Sequence, residues 1–323
     1  MIHWIGPAKK GQQQLPTNFL SMTTCVVKPL EWFVKAKLLY HLQTHCLLAP
    51  NQSAYRPHHS TTTALHSVID DWLQNIDEGK LTAVCTLDLR KGFDILNHQL
   101  LLNKLQDYYK INGKPLEWFR SYLTKRKHFV RNNFRTSDQL ESVLGIPQGT
   151  ILGPLGFIMF VNDFLIFMKN AAPECSVHMY ANDLTVYCNG YEIGEVSAKL
   201  TRSLAVAQTW LSFNKLLINP EKSKVMLVGT KVRTQDKKLR VKMYNTDIPE
   251  HSGIKLLGLK IDNDLKWRTH TENLAKQLNS RLYLYWRLSE YIPKRLMSAL
   301  YFSLLQSRLD YSITLWGSCA HKY

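Results

Sequence analysis

Two short stretches carry residues suited to holding a metal ion. In TLDLRKGFD, Thr86 to Asp94, Asp88 ends an apolar run and Phe93 follows five residues later. In VHMYANDLTVYCNG, Val177 to Gly190, two runs rich in β-branched and aromatic residues flank the polar pair Asn182-Asp183, the pattern of a hairpin turn. A carboxylate at a strand end is costly to bury without a cation or hydrogen-bond donors nearby. Alone, Asp88 reads as a solvated strand end or the cap of the next helix. Facing a hairpin tip that bears Asn182 and Asp183, it gives a divalent metal its oxygen ligands. Two metals about 3.5–4 Å apart, held by such carboxylates, suit nucleotidyl transfer: one activates the attacking 3′-oxygen and the other neutralises the triphosphate and leaving group.

These residues need elements to position them. LTAVCTLDL (81–89) is a short apolar run bounded by Gly79-Lys80 and a charged cluster, and it reads as a buried strand. Period-2 alternation puts Val84, Thr86 and Asp88 on one face. Before it, STTTALHSVIDDWLQNIDE (60–78) opens on an N-cap cluster and places Leu65, Val68, Ile69, Trp72, Leu73 and Ile76 on one helical stripe. Glu195 to Leu217 reads as another helix, ended by Asn219-Pro220, and strands follow at about 224–229 and 254–261. From Thr269 onward the pattern is helical and split by Pro293. The pentapeptide Pro-Leu-Glu-Trp-Phe occurs at 29–33 and again at 115–119, each time as a helix start.

Composition narrows the partner. With 41 Lys+Arg against 25 Asp+Glu, a formal charge of +16 points to a polyanion, nucleic acid first. The excess is spread over TKRKHFVRNNFR (124–135), KVRTQDKKLRVK (231–242) and YWRLSEYIPKRL (285–296), as a surface tracking a phosphate backbone requires. The six cysteines form no CxxC pair and read as reduced, buried thiols. The N-terminus has no apolar signal segment, and with the thiols this gives an expected intracellular location, in cytoplasm, nucleus or both. The most apolar window, GTILGPLGFIMFVNDFLIFM (149–168), contains Pro154, Asn162 and Asp163, which argue against a membrane span.

The motifs in order resemble the reverse transcriptase of non-LTR retrotransposons of the LINE or jockey-like kind. NQSAYRPHHSTTTAL (51–65) is similar to the fingers motif, LDLRKGFDILNHQLLLNKL (87–105) to the first palm motif, and GIPQGTILGPLGFIMFVNDF (145–164) to the Pro-Gln-Gly motif. MYANDLTVY (179–187) stands at the metal-binding hairpin, WLSFNKLLINPEKSKVMLVG (210–229) at the next palm motif, and IKLLGLKIDNDLKWRTHTENL (254–274) leads into the thumb. The resemblance implies an α/β right-hand polymerase. Its fingers would be 1–80, its palm an antiparallel sheet with helices over 81–230 with a fingers insertion near 106–144, and its palm end, connection and shortened helical thumb 231–323. It implies RNA-directed DNA synthesis with Mg2+ or Mn2+, an RNA template, a DNA primer and dNTPs, away from membranes.

The resemblance also assigns roles. Asp88 and Asp183 would bind the metals, Phe93 would act as a steric gate against a 2′-hydroxyl, and Arg56 would grip the incoming triphosphate, for which a planar guanidinium suits bidentate contacts. Gln148 and Gly149 would shape the pocket for template and nucleotide. Lys222 would protonate the leaving pyrophosphate, though a solvated lysine reads equally well. The departures are informative: where the family has Ala-Asp-Asp, this chain has Ala181-Asn182-Asp183. Gly92 stands for the usual Ala, Arg90 for a small residue, and TNFLSMT (17–23) lacks an expected Arg-Pro. With no endonuclease motif ahead of the polymerase and a short helical end, the expectation is a partial or degenerate copy, impaired at the catalytic Asn182. The alternatives are a catalytically inactive nucleic-acid-binding remnant and a maturase-like RNA chaperone.

Overall fold

The computed structural model describes residues 2–4, 20–22, 26–132, 135–147, 149–219, 222–234, 238–244 and 246–319. The chain divides into two compact units, each discontinuous in sequence. The first comprises Met1–His59, Leu87–Leu184 and Arg202–Lys222; the second comprises Ser60–Thr86, Thr185–Thr201 and Ser223–Tyr323.

In chain order the elements that matter to the site are α1 (Val27–Thr44), α2 (Thr61–Asp77), β1 (Leu81–Asp88), α3 (His98–Asp107), α4 (Lys114–Leu123) and β2 (Arg126–Asn132). Next come α5 (Gly153–Ala171), β3 (Cys175–Tyr180), β4 (Asp183–Gly190), α6 (Ile193–Phe213) and β5 (Lys224–Val228). Then follow β6 (Gly253–Leu256), β7 (Leu259–Asp262), α7 (Arg268–Ser289) and α8 (Lys294–Tyr301).

The first unit is built on α5. This is the apolar window of the sequence, and it is a core helix: Leu155, Phe157, Ile158, Met159, Phe160, Val161, Phe164, Leu165 and Met168 are all buried. Its polar residues are satisfied within the protein. Asn162 is wholly buried; its Oδ1 accepts the Ala49 N–H at 2.8 Å and its Nδ2 donates to Leu47 O at 2.9 Å. Asp163 pairs with Lys104 of α3 at 2.7 Å, an ammonium that also lies over the Phe160 and Trp210 rings. Burial lowers the pKa of this largely covered ammonium, and the Asp163 carboxylate pulls the other way. Among the described residues no helix is long and apolar enough to cross a membrane.

The second unit is sheet and helix around one core. In it β4, β1 and β5 lie side by side, β1 and β5 antiparallel from Thr82↔Val228 to Thr86↔Lys224. Against them α2 buries Leu65, Val68, Ile69 and Trp72. Its start is the one expected, a capping box between Ser60 and Thr63. Leu73 of the predicted stripe stays exposed, because the covered arc is narrower than the apolar one. The single strand expected at 254–261 is a hairpin instead, β6 with β7. Leu257 (φ 44) and Gly258 (φ 91) both take positive φ and reverse the chain, the conformation a two-residue turn requires. Pro293 splits the C-terminal helices as expected, serving as the N-cap of α8.

The reading of six reduced, buried thiols holds for Cys85; Cys46 and Cys319 are free as expected, but Cys46 is exposed and Cys319 only partly covered, and Cys25 lies outside the described residues. The reading is corrected for Cys175 and Cys188, which are disulfide-bonded. These stand in β3 and β4, the two strands flanking the hairpin turn, a relation that a search for CxxC spacing does not test.

Candidate active site

Every described residue that the sequence nominated falls in the first unit. Asp88 is the last residue of β1, with its side chain one-quarter exposed. Ala181 and Asn182 join β3 to β4, and Ala181 takes φ 55, a left-handed conformation that lets the turn close in two residues. The tip so formed carries Asn182, partly covered, and Asp183, exposed.

Asp88 is met by two donors from its own chain. Asn182 Nδ2 approaches Asp88 Oδ1 at 3.5 Å, and Lys222 Nζ lies 3.1 Å from Oδ2. The Asp183 carboxyl titrates above the ordinary carboxylate range: first because the surrounding chain strips water from it, and second because negative Asp88 is near, with Lys222 pulling the other way. Among the described residues no cluster of three or more His, Cys, Asp or Glu could hold a metal. Two carboxylates and an amide oxygen are nonetheless the ligand type that magnesium takes, since it keeps waters and substrate phosphates for the rest.

Lys222 reaches Asp88 because of how α6 ends. The helix was expected to run to Leu217 but stops at Phe213. Asn214 turns its amide back onto Trp210 O at 2.9 Å, and Lys215 takes φ 56. Leu216 N–H then bonds Leu211 O and Lys215 N–H bonds Ser212 O, a Schellman ending. The freed segment runs antiparallel to the end of β1 through a bridge between Leu89 and Ile218. Arg90 N–H donates to Leu217 O at 2.7 Å and Asn219 N–H to Asp88 O at 2.9 Å. Sequence reasoning missed this lacing; its one signal is the apolar run Leu216-Leu217-Ile218 just ahead of Asn219-Pro220.

The remaining nominated residues are placed as follows. Phe93 is half-buried and stacked on Phe157, with centroids 4.3 Å apart and planes 20° apart. Gly92 makes that stack possible, for a Cβ there would come within 3.0 Å of the Phe157 ring. Gly149 is exposed with φ 90, and Gln148 lies outside the described residues. Arg56 is committed to its own loop: Nη1 donates to Ala49 O at 2.7 Å and to Gln52 O at 2.9 Å. Burial lowers the guanidinium's pKa from its usual value. That loop is anchored on β3, where Ser53 N–H bonds Met179 O and Met179 N–H bonds Asn51 O, both at 3.0 Å.

Comparison with known proteins finds relatives and likenesses in fold along most of the chain. The probable RNA-directed DNA polymerase from transposon X-element of Drosophila melanogaster is 24% identical over 327 residues, covering 98% of this chain and 34% of that protein. The RNA-directed DNA polymerase from mobile element jockey of Drosophila funebris is 24% identical over 284 residues, covering 85% and 30%. The chain thus spans about a third of the length of the curated relatives it matches. Among solved structures, telomerase from Candida albicans in complex with a fragment of telomeric RNA superposes with a TM-score of 0.52 at 13% identity, over 89% of this chain and 48% of that one. Apo telomerase from Candida tropicalis gives 0.51 at 11%, over 89% and 51%. At such identity the likeness is one of fold, that of right-hand polymerases. A family model described as Reverse transcriptase (RNA-dependent DNA polymerase) matches residues 9–261, most of the chain: the chain belongs to the reverse transcriptase family.

Proposed function

We propose that the chain is the RNA-directed DNA polymerase domain of a jockey-like non-LTR retrotransposon, working inside the cell on an RNA template, a DNA primer and dNTPs, and that Asn182 makes this copy slow. Residues 1–80 are its fingers, 81–230 its palm and 231–323 the palm end and thumb. Asp88 and Asp183 would hold the divalent metal, Mg2+ in the first instance. When bound, such an ion supplies positive charge where the primer 3′-oxygen is activated and where pyrophosphate leaves. The protein's own residues do the rest. Phe93, backed by Phe157, gates the sugar; Gly149 lets the backbone approach the base pair closely. Lys222, resting on Asp88, is placed to release it and give its proton to pyrophosphate. Arg56 has guanidinium nitrogens left over for phosphate oxygens.

The observation that carries the impairment is the Asn182 amide on Asp88. An aspartate there would repel Asp88 and call for a cation; the amide instead donates to it, and Lys222 supplies the countercharge. A unit charge is worth roughly 4 kcal/mol at about 4 Å and an effective dielectric near 20. At about 1.4 kcal/mol per decade, its loss removes several orders of magnitude in rate. Primer extension on poly(rA)–oligo(dT) should therefore rise at least about a hundredfold in Asn182→Asp, and Asp88→Ala should abolish it in that background. Equal rates for the native chain and Asn182→Asp would sink the reading. Salt-sensitive RNA binding with no extension by either would favour a non-catalytic remnant, which the chain-satisfied Asp88 also fits.

A further inference from the structure

Glu31 lies in the first Pro-Leu-Glu-Trp-Phe segment, on α1, and is fully buried at 0% exposure. Burying a carboxylate is unfavourable unless donors surround it, and a leucine would fill such a place without that penalty. Both oxygens are engaged: Oε2 accepts the Ile151 backbone N–H at 2.7 Å, and Oε1 accepts the Tyr122 hydroxyl at 3.2 Å. Tyr122 stands on α4, the helix opened by the second copy of the pentapeptide, and its hydroxyl also interacts with Thr150. Thr150 in turn donates to Pro147 O at 2.8 Å and accepts the Gly153 N–H at 3.0 Å. These bonds draw Thr150 and Gly153 so close to Pro147 that a Cβ on Gly153 would fall 2.7 Å from Pro147 O. At its near end the same loop is tied to the segment after β1, with Ile146 N–H on Phe93 O at 2.8 Å and Gly145 N–H on Leu96 O at 2.7 Å.

We propose that Glu31 is a positioning residue for the nucleotide pocket: with Tyr122 it fixes the loop carrying Gly149 relative to Phe93. The inference rests on the reading above, in which Gly149 and Phe93 line that pocket. A carboxyl suits the task because one side chain reaches two donors at once. The repeated pentapeptide thereby acquires a use: its first copy supplies the acceptor, and the helix begun by its second supplies the hydroxyl.

The test uses Glu31→Leu, which fills the volume, and Glu31→Gln, which keeps an acceptor for Ile151. Each is made in the native chain and in Asn182→Asp. In the native chain, amide exchange at Ile151 should quicken about tenfold or more in Glu31→Leu and stay near native in Glu31→Gln, a change the size of one hydrogen bond to a charged group. In the Asn182→Asp background, Glu31→Leu should raise the dTTP KM about tenfold, with kcat changed much less, and Glu31→Gln should restore most of the loss. Unchanged exchange at Ile151 overturns the proposal, as does an unchanged KM, or a KM rise that Gln does not relieve. If Asn182→Asp extends no primer, the polymerase reading itself has failed, and exchange still decides whether Glu31 holds the loop.

Discussion

Asp88 is the residue on which the chain's own donors converge, and its neighbour Asp183 records the consequence. Because its pKa in the folded protein is raised, Asp183 holds its proton more tightly folded than unfolded. It therefore favours the fold below the ordinary carboxylate value of 3.8, and that contribution is lost as pH rises through the higher folded value. Asp183→Asn should accordingly unfold at higher urea than the native chain at pH 7, with the gap closing near pH 4; a gap that widens on acidification would contradict the assignment. Gly92 makes a second residue-scale test. Adding a methyl 3.0 Å from Phe157 pushes on the ring that backs Phe93. Gly92→Ala should destabilise by about 1–3 kcal/mol, as overpacking does, read as a fall in melting temperature.

At the scale of elements, α2 offers the cleanest comparison. Ser60 accepts the Thr63 N–H at 3.1 Å while Thr63 Oγ1 accepts the Ser60 N–H at 2.8 Å. Ser60→Ala should cost about 1 kcal/mol, measured by chemical denaturation, and Ser60→Asp should recover most of it. This helix was legible from its cap and stripe, and β1 from its apolar run, because both signals are local. Two elements were not legible, and each turned on a backbone conformation that no periodicity encodes. The break at Leu257-Gly258 lies inside an apolar run, so the run read as one strand. The end of α6 depends on Lys215 entering the left-handed region, which the pattern of apolar residues past it conceals.

For the whole molecule, the charge of +16 is the property that needs no site. RNA affinity should fall steeply with salt, the logarithm of the binding constant declining by about 0.7 per phosphate neutralised on a single strand. Titration with labelled single-stranded RNA between 50 and 200 mM salt checks this, and binding indifferent to salt would count against a backbone-tracking surface. Of the candidate site, Asp88, Asn182 and Asp183 could be read from sequence because a strand end and a hairpin tip each leave a local mark. The commitment of Arg56 to its own loop, and of Glu31 to the loop of Gly149, could not, since both depend on partners far along the chain.

The lacing of Leu217–Asn219 along the end of β1 also sets an order of events during synthesis. Proteins emerge N-terminus first, and their domains fold as chain becomes available. Both carboxylates of the site leave the ribosome well before the segment that bonds Asp88 and brings Lys222 to it. A nascent chain halted in that interval carries Asp88 and Asp183 without Lys222 to pair with the first and without the bonds that Leu217 and Asn219 make to the end of β1. The site is therefore assembled late, and a messenger cut short ahead of Lys222 yields a product that has its acidic residues without the means to set them.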